Sequence, residues 1–90
     1  MTKKIAVLVR ERQAEALRMA LGLILMDDII DVYMLDRKVE ETDENKISIE
    51  TMKDMDMNIY TNYRKNEELQ YLTSGEIAQR LPEYDMIVPY

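Results

Sequence analysis

The chain has 90 residues, a net charge of -6, no cysteine and no histidine. This excludes disulfides, thiolate nucleophiles and thiolate metal sites, and it removes the imidazole base most often used near neutral pH. At 47% hydrophobic and 33% charged residues the chain is globular, one domain over residues 1–90, and its acidic surplus argues against nucleic acid or an anionic membrane as partner.

Ile5-Ala6-Val7-Leu8-Val9 is a continuous apolar run, the pattern of a strand covered on both faces. After polar Arg10–Gln13, the Ala-, Leu- and Met-rich segment Ala14–Met26 predicts a helix. Ile29–Leu35 is β-rich and predicts a second strand. The charged stretch Asp36–Lys46 reads as a loop, and Ser48 as the cap of a short helix over Ile49–Lys53. Met57–Asn62 predicts a third strand, and Leu69–Leu72 fits either a short edge strand or a helical turn.

Thr73-Ser74-Gly75-Glu76 matches a capping box, with Ile77, Ala78 and Leu81 inward and Pro82 as the stop. Tyr84–Val88 is the last predicted strand. Alternation of strand and helix implies right-handed crossovers. The expected fold is a three-layer α/β/α sandwich with a four- to five-stranded, mostly parallel sheet. The longest apolar stretch, Met19–Met26 with Gly22 inside it, is far short of the ~20 residues that span a bilayer. With no cleavable-looking signal before Ile5, a cytoplasmic location is expected.

With only Gly22 and Gly75, the chain cannot build a glycine-rich phosphate loop after its first strand. A phospho-receiver site would need paired acids there and an aspartate ending the third strand; Arg10-Glu11 and Thr61-Asn62 stand in those places.

Lys3–Val9, the helix core Glu15–Leu23, the strand Ile30–Leu35 and the ending Glu76–Tyr90 together resemble the DsrE/DsrF-like sulfur-relay family. The resemblance implies a small parallel α/β sandwich that assembles into oligomers. Some members carry sulfur as a persulfide on a cysteine just after the third strand. In Tyr60-Thr61-Asn62 the matching place holds Asn62, whose amide cannot form a persulfide. The resemblance therefore implies a member without sulfur-carrying chemistry, acting as a binding or accessory subunit, alone or beside a cysteine-bearing relative in a hetero-oligomer.

In open parallel sheets ligands bind beyond the carboxyl ends of the strands. Arg10, Arg12, Arg37, Lys38, Arg64 and Lys65 gather at that predicted edge. Arg10, Arg12, Arg37 and Arg64, with Asn62 and Tyr90 as neutral hydrogen-bonding groups, form the candidate ligand site, suited to an anion or a partner's acidic tail. The alternative is solvated loop charge balanced by Glu11, Asp36, Glu40 and Glu41. The first helix carries more apolar positions than one sheet face needs. Met19, Leu23 and Met26 are the candidate subunit interface, predicting a homo-oligomer; wrapping by the same domain is the other reading.

Asp27, Asp28 and Asp31 match no calcium loop and read as a solvated helix end. Met52, Met55 and Met57 read as adaptable core filler, not a soft-metal site. Tyr60, Tyr63, Tyr71, Tyr84 and Tyr90 read as core-edge packing with the hydroxyl in water. No catalytic residue, metal or cofactor is assigned; a small-anion binder, or an enzyme using the basic edge with lysine or carboxylates in the chemical roles, is the alternative to the accessory reading.

Overall fold

The computed structural model describes residues 3–23 and 29–90. The elements are β1 (Lys4–Val9), α1 (Gln13–Leu23), β2 (Ile29–Met34), α2 (Asp43–Asp54), β3 (Asn58–Thr61), β4 (Gln70–Tyr71), α3 (Ser74–Arg80), a 3-10 turn (Leu81–Glu83) and β5 (Met86–Pro89). The strands form one sheet in the order β4-β3-β2-β1-β5, and every pairing is parallel.

The continuous apolar runs in β1 and β2 follow from this layering, because each face of the sheet lies under helix. Ile5, Val7, Val9, Ile30, Val32 and Met34 point to one face, against Ala16, Leu17 and Ala20 of α1 and Ile49 and Met52 of α2. Ala6, Tyr33, Leu35 and Tyr60 point to the other, against Ile77 of α3. Fully burying each Val, Ile, Leu or Met side chain contributes roughly 1.5–3 kcal/mol. The sandwich expected from the sequence is the one observed.

Several local expectations are corrected. The helix expected over Ile49–Lys53 begins at Asp43 and runs to Asp54. Thr42, not Ser48, is its cap: the Thr42 hydroxyl accepts from the Asn45 amide at 3.1 Å. Asp43 and Glu44 in the first turn and Lys53 in the last also complement the helix dipole. The sequence hid this helix because its inward stripe is Asn45, Ser48, Ile49 and Met52, helical in spacing but half polar. Asp56 ends it in the left-handed region at φ 58°, with Met57 N bonded to Met52 O and Asp56 N to Lys53 O. An aspartate thus does what glycine does in a Schellman cap.

No helix joins β3 to β4; residues 62–69 make the crossover, and β4 pairs for two residues. The third helix instead joins β4 to β5 on the opposite face. The Thr73–Glu76 capping box forms as expected, while Ala78 is exposed and Leu81 only partly covered. Asp31 is no solvated helix end: it lies within β2 and is 4% exposed. Asp27 and Asp28 lie outside the described residues. Both sheet edges are blunted, β4 by its length and β5 by Pro89. Tyr90 N donates to Leu8 O, so the preceding Pro89 nitrogen faces outward, where a missing N–H weakens pairing with another strand. Among the described residues, no helix is long and apolar enough to cross a membrane.

Candidate functional site

Parallel pairing brings the carboxyl ends of β1, β2 and β3 together, and the loop after β2 is the centre of the convergence. Asp36, directly beyond β2, adopts the left-handed conformation at φ 67°. Aspartate tolerates this region better than most residues, because its short polar side chain bonds locally. Here it bonds its neighbours. Arg10 Nε donates to Asp36 Oδ2 at 3.1 Å, and Asn62 Nδ2 donates to Asp36 Oδ1 at 3.0 Å. Asn62 Oδ1 accepts from Asp36 N at 2.7 Å, and its Nδ2 also donates to Ser74 Oγ at 3.0 Å. The Asn62 amide beside Asp36, with Arg10 adding to it, holds the Asp36 carboxyl below the usual carboxylate range.

Three buried amides continue the hold along the same loop. Asn66 accepts from Val39 N at 2.9 Å and donates to Arg37 O at 3.1 Å and Thr61 Oγ1 at 2.9 Å. Gln13 accepts from Glu40 N at 2.8 Å and donates to Lys38 O at 3.3 Å. Asn45 donates to Glu40 O at 3.2 Å. Segment 36–40 is therefore tied to the β3–β4 crossover, α1 and α2 by side-chain amides, which satisfy backbone groups that no ladder reaches.

The predicted ligand residues divide into small groups. Arg10 and Asn62 meet through Asp36. Arg12 pairs with Glu15 at 2.7 Å and lies over the Tyr90 ring at 5.6 Å. Arg37 reaches Glu11 at 3.8 Å. Arg64 turns to the edge strand, its guanidinium 4.6 Å from the Tyr71 ring centre. Each of these four arginines thus has a partner within the chain. Such exposed pairs contribute about 0–1 kcal/mol each and can exchange for a ligand. Beside Arg10 and Asn62, a shallow cavity of about 180 Å³ has Leu8, Leu35, Ile77 and Leu81 on its floor. Ligand pockets usually enclose about 300–1,000 Å³, so this one accepts a single small group.

Met19 and Leu23 of the candidate interface are half-buried and pack against the core, and Met26 lies outside the described residues. The exposed positions of α1 are Glu15, Arg18 and Gly22, with Arg18 bridged to Glu44 at 3.3 Å. No cluster of acids that would hold a metal ion occurs among the described residues.

Sequence reasoning missed a second polar cluster, under α3 toward the amino end of the sheet. The Tyr84 hydroxyl donates to Asp31 Oδ2 at 2.5 Å, Tyr33 and Tyr84 share a hydroxyl hydrogen bond of 2.5 Å, and Asn58 Nδ2 donates to Asp31 Oδ1 at 3.1 Å. Tyr33 stacks on Tyr60 at 5.1 Å and meets Tyr84 edge-on at 6.0 Å. Burial, then the Asp31 carboxylate, push the Tyr84 hydroxyl far above its ordinary range. The signal available was Asp31 itself, a charge inside an apolar strand. For Gln13, Asn45 and Asn66 the sequence offers only neutral amides among charged neighbours.

Comparison with known proteins finds no matching family model, no matching curated protein and no matching solved structure.

Proposed function

We propose that this chain is a non-catalytic, oligomeric binding or accessory domain of the DsrE/F-like kind, connected with sulfur relay as a partner and not as a carrier. The observation that carries this reading is the use of Asn62. Both of its N–H groups and its carbonyl oxygen are engaged, by Asp36 and Ser74. The residue matching the sulfur-carrier position is thus a staple between the loop after β2 and the start of α3, and an amide supplies no nucleophile. The loop it holds is fixed by further amides, as suits a preformed recognition surface.

Light scattering at micromolar concentration tests the oligomeric part: a mass above one chain is expected, and a mass of one chain overturns it. A second reading, a small-anion binder, draws on the cavity beside Arg10 and Asn62. Titration with inorganic phosphate, followed by amide shifts, separates the two. The accessory reading expects no saturable movement around Arg10, Arg37 and Arg64; saturable movement there favours the anion binder.

A further inference from the structure

Four of the six exposed charges of α2, all but Glu44 and Asp54, repeat themselves when the helix is turned end for end. Asp43, Lys46, Glu50 and Lys53 follow one another at intervals of three, four and three residues, so they share one side of the helix, and all four are exposed. Lys46 and Glu50 lie at equal distances on either side of Ser48, and so do Asp43 and Lys53. An antiparallel copy of the same helix therefore sets Lys46 against Glu50 and Asp43 against Lys53, each pair occurring twice about a two-fold axis. Every one of these contacts joins opposite charges.

Within a single chain three of these charges are left over, while Lys53 Nζ donates to Glu68 O at 3.2 Å. Among the described residues, the side chains of Asp43, Lys46 and Glu50 form no ion pair, although Lys46 and Glu50 are one turn apart. Lysine preceding glutamate is the weaker orientation at that spacing. Ile47 adds a second observation. It is 63% exposed, the most exposed large hydrophobic side chain among the described residues. It flanks the charged stripe next to Ser48, so the antiparallel arrangement brings both copies of Ile47 close to the axis. The stripe itself borders an open cavity of about 940 Å³, whose other wall is the loop around Leu69, where the β3–β4 crossover supplies no helix.

We propose that α2 is a self-association surface that pairs antiparallel with α2 of a second copy. This deepens the oligomeric part of the proposed function and rests on it. Exposed ion pairs are individually weak, so the charge register chiefly selects partner and direction, while Ile47 contributes apolar burial. The association weakens as salt is raised.

Sedimentation velocity tests this with Lys46→Glu, Glu50→Lys, an equal mixture of the two, and the double variant Lys46→Glu/Glu50→Lys. Each single variant places like charges across the axis twice and is expected to weaken self-association by about tenfold or more. The mixture and the double variant restore opposite charges and are expected to recover it, which a folding defect would not do. Single variants that associate like the wild type, or a mixture and double variant that both fail to recover, overturn the α2 pairing and leave the oligomeric reading standing. A wild-type chain that stays monomeric overturns both.

Discussion

Beneath α3, one acid and two tyrosines form a largely buried chain of hydrogen bonds, with Tyr84 partly exposed; at the carboxyl edge, an aspartate, an arginine and an asparagine make a chain of the same length in the open. Asp31 is 4% exposed, whereas the Asp36 and Arg10 side chains are 57% and 50% exposed. The chain beneath α3 joins the sheet centre to the turn before β5, so Asp31 and Tyr33 lose hydration that only a partner can replace. The open chain exchanges freely with water and gains its order from the amides behind it. The same polar chemistry is thus structural in one place and available for recognition in the other.

Tyr84→Phe breaks the contrast most strongly. It leaves the Asp31 carboxylate buried with Asn58 as its remaining side-chain donor, and a destabilisation of about 2–3 kcal/mol is expected in urea unfolding. The same variant reads out at high pH. Tyr84 titrates above its ordinary range in the folded state, so its contribution is complete below the unfolded value and is lost as pH rises toward the folded one. The wild type is expected to lose stability above about pH 10, and the variant to lose less over that range. An unchanged alkaline limb would remove Tyr84 from that role.

Asn66→Ala sharpens the comparison from the other side. It frees the Val39 amide and the Arg37 carbonyl at once, and about 1–2 kcal/mol of stability should go with them. Faster hydrogen exchange confined to residues 36–40 is the accompanying sign; uniform loss of protection would mean that the amide braces the whole fold. Asp36→Asn has the smallest effect. The Asp36 carboxyl titrates below its ordinary value, so its contribution is present above the unfolded value and disappears as pH falls through the folded one. The variant is expected to match the wild type near neutrality within about 0.5 kcal/mol, the usual range for surface substitutions. It should show a shallower decline in acid.

Legibility in the sequence followed the same division. β1 and β2 were readable because strands buried on both faces admit almost no polar residues, and the Thr73–Glu76 box was readable because capping is local chemistry. α2 was not, because Asn45 and Ser48 occupy its inward face to serve a loop that only the folded chain brings near. At the candidate site, Arg10 and Asn62 were correctly gathered at one edge by strand direction alone. Their linkage through Asp36 was not legible, since it depends on a left-handed residue and on the register of β2 against β3.

By itself, then, the sequence determined the strongest periodicities: the strands β1 and β2, the helix between them, and the parallel sandwich they must build to hide their apolar faces, while most of α2 and the state of β4 stayed open. It also excluded thiol and imidazole chemistry. The tertiary structure alone decided which polar groups meet. Hydrogen bonds between residues 26 to 53 positions apart depend on crossover paths and register, and no local propensity encodes either.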